Sequence, residues 1–356
     1  MSDTFHKFLF LGVMIALVLF ANQGTVAKQS PIKFTYNDLG QRTASKAPPL
    51  FVLQSPAIAS NNLEAGISVN QPASVDQSPM SSQFSSQKAL LESSGDSSQS
   101  VFSKQGGEQA PDVIARITLV TDFGSGAQYV NHGAEDIWPL ASLTKLMTAI
   151  VSMGKLDPDQ KVAITPEAFA ADPSEQLLRT GDVYSISDLL KIMLLPSSNV
   201  AAEAIASAHP AGAEKSGREA FIAAMNARAA AWGMANTHFD DPSGISAGSK
   251  STAHDIFIFA KKIYAEYPQV FTITKIASTY ATELNSGKRV LVKSINNFAG
   301  QANFIGGKTG YTDEAGGNLL SVFSYRQKPL LIVVMGTDDR FGDTQKLLEW
   351  FEANYK

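Results

Sequence analysis

The chain of 356 residues contains no cysteine. That absence excludes a disulfide framework and a thiolate metal site, and it suits an oxidising compartment. Histidine is scarce: His6, His132, His209, His238 and His254 are scattered, none in the HExxH spacing of a helical zinc site, so no metal site is expected. Net charge is small, -4 at pH 7, so nothing favours a phosphate-backbone partner and no nucleic acid is expected. Long apolar runs are missing too, with one exception. Phe8 to Ala21 is unbroken and follows Lys7; about fourteen residues suit a signal-peptide core better than a membrane span. Thr25-Val26-Ala27 ends in a small residue and offers a cleavage site. Residues 1–27 therefore read as an export signal, with an uncleaved anchor as the alternative.

Aromatic residues are the next shortage. Between Ser55 and Gln109 only Phe84 and Phe102 are aromatic, while roughly two residues in five are serine or glutamine. Such a stretch buries too little apolar surface to offset its ordering entropy. Residues 28–111 read as a disordered Ser/Gln-rich linker, interrupted by the apolar island Pro48–Leu53. The 44% apolar content is enough for a sizeable core, and that core is expected within 112–356.

Val113 to Val120 reads as a buried strand, Asp122 to Gly126 as a turn, and Ala127 to Val130 as the returning strand of a hairpin. Leu146, Met147, Ile150 and Val151 follow helical spacing in a helix that begins near Ser142 and ends about Met153. From about Thr165 to Tyr267 the pattern is mostly helical, with starts near Ser185, Asn199, Glu219 and Thr252, and Pro196 stopping the first. Strand signals return at Gly306–Thr312, Asn318–Tyr325 and Leu330–Met335, and Thr344 to Tyr355 closes the chain as a helix. Hairpin, helical block, three strands and final helix describe an α+β domain: an antiparallel sheet built from both ends of the catalytic domain, with a large all-helical insert.

Three stretches carry chemistry. Ser142 and Lys145, at i and i+3, share a helix face, so a hydroxyl and an amine can meet at a helix start whose N–H groups favour developing negative charge. Ser-x-x-Lys occurs four times, beginning at Ser30, Ser85, Ser142 and Ser152. Only the Ser142 copy has a strand-loop-helix context. A lysine base must lose its proton, so its pKa must fall from about 10.4, through burial or a neighbouring cation. Lys308-Thr309-Gly310 supplies a second cation from a strand, and Lys308 and Thr309 can hold a carboxylate. Ser197-Ser198-Asn199 lies at a break between helices, where Ser197 can relay a proton and Asn199 can hold an amide. Ser-x-Asn is itself weak, recurring at Ser60, Ser68 and Ser294, and an ordinary helix cap would explain Ser197 as well. Lys215-Ser216-Gly217 imitates Lys-Thr-Gly but precedes a helix.

Taken together and in this order, Ser142-x-x-Lys145, Ser197-x-Asn199 and Lys308-Thr309-Gly310 resemble the serine penicillin-recognising enzymes. Ala141–Ala149, Leu195–Asn199 and Gly307–Thr312 are similar, more narrowly, to the D-alanyl-D-alanine carboxypeptidase group of low-molecular-mass penicillin-binding proteins. Phe239–Gly244 and Ser251–Asp255 support the likeness, which spans about Ala115 to Trp350. The resemblance implies a β-lactamase/transpeptidase-like fold and a DD-peptidase that needs no cofactor. It would remove terminal D-alanine from peptidoglycan stem peptides or cut D-alanyl cross-links, with β-lactams as covalent inhibitors. It further implies Ser142 as acylated nucleophile, Lys145 as base, Ser197 and Asn199 as completing groups, and Lys308 and Thr309 as carboxylate ligands. The N–H groups of Ser142 and Tyr311 would form the oxyanion hole, and Arg340 is a candidate for a further carboxylate contact. Many relatives have Asp where Val200 stands, and many continue into a β-rich domain and an amphipathic anchor. The end at Lys356 makes membrane attachment doubtful and leans toward the endopeptidase-like members. Two other functions fit less well. One is a β-lactamase of the same superfamily, whose Glu-x-x-Leu-Asn has only Glu175–Arg179 as a near match, before the Ser-x-Asn and without the asparagine. The other is a wall-peptide binding module whose acyl-enzyme does not turn over.

Overall fold

The structure is a computed structural model that describes residues 102–356 apart from Glu214. The export signal and the linker up to residue 101 lie outside the described residues. The chain enters through β1 (Ile117–Asp122) and β2 (Gln128–His132), then β3 (Trp138–Pro139) and a 3-10 turn (Ala141–Thr144) that runs into α1 (Lys145–Lys155). β4 (Lys161–Ala163), α2 (Pro166–Phe169) and β5 (Val183–Ser185) lead to α3 (Ile186–Leu194), α4 (Asn199–Ser207) and α5 (Gly217–Ala231). β6 (Lys250–Ser251), α6 (Ala253–Glu266), α7 (Pro268–Thr274), β7 (Ser278–Thr282) and β8 (Arg289–Lys293) follow. β9 (Phe304–Thr312), β10 (Gly316–Tyr325), β11 (Lys328–Thr337) and α8 (Arg340–Asn354) complete the chain.

The two ends of the described domain build one antiparallel sheet in the order β2-β1-β11-β10-β9. Alternation along its central strands sorts two cores. Leu320, Val322, Leu331, Val333 and Met335 face the helical insert with α1, α3, α4 and α6. Leu319, Phe323, Leu330, Ile332 and Val334 face the other way, under Leu347, Leu348 and Phe351 of α8. The α+β reading holds, but the insert is not all-helical: the two-stranded sheets β3-β6, β4-β5 and β7-β8 lie within or beside it. α1 is buried from Lys145 to Ser152, so Lys145 and Thr148 take their partners from inside the protein, Ser243 O and Pro242 O.

The helix boundaries follow their caps. The Ser185 side chain accepts from Asp188 N at the start of α3, and Ser198 from Ala201 N at the start of α4. Ser216, in the Lys-Ser-Gly imitation, heads a capping box with Glu219.

Two expectations change. Residues 102–111, assigned to the linker, pack on the domain: Phe102 is 2% exposed among Tyr129, Tyr325 and Phe351, and Ser103 N donates to Lys356 O. One aromatic side chain and a short backbone ladder outweigh the polar composition around them. Residues 102–111 therefore pack with the domain rather than standing apart from it as linker. β1 also starts later than expected, at Ile117, where pairing with Met335 begins; Ile114 points to solvent. The sequence showed no pattern between 268 and 305, where α7 and the β7–β8 hairpin lie. The hairpin buries only Ala281 and Val292 and exposes Tyr280 and Leu291, so its alternation is faint.

Candidate active site

Ser142 stands in the 3-10 turn, and Lys145 opens the α-helix that continues from it. The turn is strained: Ala141 has φ +48°, a left-handed conformation that costs a residue with a Cβ about 1 kcal/mol or more. What holds it is visible around it. Asn318 Nδ2 on β10 donates to Pro139 O at 2.8 Å and Leu140 O at 3.2 Å, and its Oδ1 accepts from Gly336 N. Gly310 on β9 passes so close that a Cβ there would lie 3.1 Å from Ser142 N. The sheet thus presses directly on the backbone of the turn.

Lys145 is 0% exposed. Its Nζ lies 2.8 Å from Ser142 Oγ, 2.7 Å from Asn199 Oδ1 and 2.6 Å from Ser243 O. The last two are pure acceptors and take two N–H groups. A neutral amine has two N–H groups and one lone pair, which is then left for the Ser142 hydroxyl. Burial lowers the Lys145 pKa to about 7, against the opposing pull of Asp241, Asp172 and Glu203. A large share of the lysine is therefore neutral at neutral pH.

Lys308 on β9 is also buried, and its Nζ donates to Ser197 Oγ at 2.8 Å and Thr309 O at 2.9 Å. Its pKa falls well below the usual lysine value, through burial first and then the charges of Lys145 and Arg340. The expected role of this second cation in deprotonating Lys145 is filled instead by burial, which lowers that pKa. Ser197, with φ +70°, is the other strained residue of the site. Its partner is Lys308, while Asn199 makes the contact to Lys145. Thr309 is buried beside them, and Tyr311 is 61% exposed at the rim. Arg340 Nη1 donates to Gly310 O at 3.2 Å, and burial lowers its pKa.

Other groups here were not among the expected site residues, although Asp241 lies in the supporting stretch Phe239–Gly244. The carboxylate of Asp241 accepts from Ser243 N, Ser243 Oγ, Gly244 N and Ser246 N. Burial pushes its pKa up, but those hydrogen bonds outweigh burial and hold it below the usual value. This loop aims Ser243 O at Lys145. The loop after α2 lies over the Ser197–Asn199 turn: Asp172 Oδ2 accepts from Asn199 Nδ2 at 3.3 Å, and Glu175 Oε2 accepts from Ser198 Oγ. Glu175, the near match to a β-lactamase motif, thus reaches Ser198. Spacing alone would not reveal Asn318 or Asp172, because each acts across a long sequence separation. Among the described residues, no group of three or more histidines and carboxylates is placed to hold a metal ion.

Residues 104–339 match the peptidase family described as D-alanyl-D-alanine carboxypeptidase. The D-alanyl-D-alanine endopeptidase of Escherichia coli is 30% identical over 255 residues, covering 68% of this chain and 79% of its own length. The DD-transpeptidase of Streptomyces superposes with a TM-score of 0.62 at 26% identity, over 69% of this chain and all of that one (100%). Penicillin-binding protein D2 of Listeria monocytogenes, solved in its ampicillin-bound form, matches with a TM-score of 0.56 at 26% identity, over 68% of this chain and 98% of that one. Fold, motif order and relatives agree: the chain is a serine hydrolase of the D-alanyl-D-alanine carboxypeptidase family.

Proposed function

We propose that Ser142 attacks the peptide bond between two D-alanines of a peptidoglycan stem peptide, at a chain end or in a D-alanyl cross-link. The observation that carries this is the 2.8 Å approach of Ser142 Oγ to a buried Lys145 whose pKa is near 7. Lys145 takes the hydroxyl proton as Ser142 Oγ bonds to the carbonyl carbon. The tetrahedral oxyanion is held by the N–H groups of Ser142 and Tyr311. As the C–N bond breaks, the proton passes to the departing amine, with Ser197 Oγ as relay on the turn that also carries Asn199. Water then adds to the Ser142 ester with Lys145 again as base, releasing the shortened peptide and restoring the hydroxyl.

Lys308 and Thr309 hold the terminal carboxylate, with Arg340 adding positive charge beside Gly310. Asn199 donates its remaining amide N–H to the substrate backbone. A β-lactam presents an activated amide to the same groups and is held as a stable ester on Ser142. Residues 1–27 direct the protein across the membrane for export, and the Ser/Gln-rich linker tethers the domain within the wall compartment. Among the described residues no helix is long and apolar enough to cross a membrane.

The test uses the purified protein and two kinds of reagent. A peptide ending in D-alanyl-D-alanine should lose one free D-alanine. A fluorescent penicillin should form a single adduct, which mass mapping should place on the peptide carrying Ser142. An adduct elsewhere, or neither released D-alanine nor cleavage of a D-alanyl cross-linked wall fragment, would refute the assignment.

A further inference from the structure

The loop after α2 has no part in the mechanism above, yet it grips the Ser197–Asn199 turn from outside. Asp172 is itself held fast: its Oδ1 accepts from Ser174 N at 3.1 Å and Ser174 Oγ at 2.6 Å. That leaves Oδ2 for Asn199 Nδ2. An amide has an acceptor end and a donor end, and only one orientation suits both neighbours. With Nδ2 toward a carboxylate, Oδ1 must face Lys145, as it does at 2.7 Å. Three residues later Glu175 accepts from Gln176 N, Leu177 N and Ser198 Oγ, fastening the same loop to the same turn.

We propose that Asp172 is a positioning residue for the base, acting through Asn199 to fix which amide atom faces Lys145. This rests on Lys145 being the base of the reaction proposed above. The arrangement has a chemical consequence besides geometry. Asp172 is one of three carboxylates whose charge favours protonated Lys145, with Asp241 and Glu203, while burial opposes it; the charge of Lys145 in turn lowers the pKa of Lys308. Removing the Asp172 charge makes the ammonium harder to keep, so Lys145 stays neutral to lower pH. The rising limb of the pH–acylation profile then moves toward acid.

Two variants separate charge from shape. Asp172→Asn keeps an acceptor for Asn199 Nδ2 and removes the charge. Its acylation by a penicillin should reach a plateau within about threefold of wild type, and its rising limb should shift down by about one pH unit. Asp172→Ala frees the Asn199 amide to turn over and should lower the plateau by about tenfold or more. Glu175→Gln, changing a carboxylate that is not among those acting on Lys145, should leave the limb in place. An unmoved limb in Asp172→Asn, or a folded Asp172→Ala whose plateau stays within about threefold of wild type, overturns the proposal; should Asp172→Ala not fold, Asp172→Asn decides alone. If Lys145 is not the base, the wild-type profile itself will lack the limb, so the two failures can be told apart.

Discussion

Replacing Lys145 with arginine is expected to lower the acylation rate by about 10³-fold, within the range that a positioned general base contributes. The substitution keeps a long cationic side chain and removes the ability to lose a proton, because a guanidinium stays charged at any working pH. All three neighbours of Nζ would then face donors: Asn199 Oδ1 and Ser243 O still accept, and the Ser142 hydroxyl loses its proton acceptor. Stopped-flow acylation with a chromogenic β-lactam measures the effect, and circular dichroism checks that the variant folds. A rate within tenfold of wild type would mean that another group takes the serine proton.

Gly244→Ala should strike both stability and chemistry. Gly244 has φ +83°, and a Cβ there would lie 1.8 Å from Ala141 O. The left-handed conformation costs alanine about 1 kcal/mol, and the clash with backbone adds about 1–3 kcal/mol of overpacking. A total of about 3 kcal/mol lowers Tm by on the order of 10 °C in a domain of this size. The chemistry suffers as well, because the same loop carries Ser243 O to Lys145 and abuts the residue before Ser142. Gly233→Ala is the comparison: φ is +77° but nothing lies within 4 Å of the added carbon, so only the conformational cost remains, about 1 kcal/mol. Thermal melts of the two variants with penicillin labelling of the folded protein check this. Equal melting temperatures would show that the loop yields without cost.

Local spacing made much of this protein legible. An i, i+3 serine and lysine had to share one face, and the helix was readable from Leu146, Met147, Ile150 and Val151, all of them buried. The three central strands were readable because they are long and apolar, and the helix starts at Ile186 and Asn199 because a serine cap, Ser185 or Ser198, precedes each. The groups that hold the site in shape were not legible. Asn318 grips the turn from 178 and 179 residues away, and Asp172 reaches Asn199 across 27. No period or spacing marks such contacts; they exist only once the sheet and the helical block are assembled. Phe102 was lost for the opposite reason. A single buried ring in a serine-rich stretch carries no pattern, although its contacts with Tyr129, Tyr325 and Phe351 extend the domain by ten residues, 102–111, at its start.

The arrangement at the centre of this account is a lysine kept neutral by burial, with its lone pair turned to a serine hydroxyl. The pH dependence of wild-type acylation by a β-lactam measures that state. A base must be unprotonated to act, so the rate should rise with pH through about 7, the value to which burial brings Lys145, and then level off. A rate that is flat across that range, or that climbs only near the ordinary lysine value of about 10.4, would contradict it.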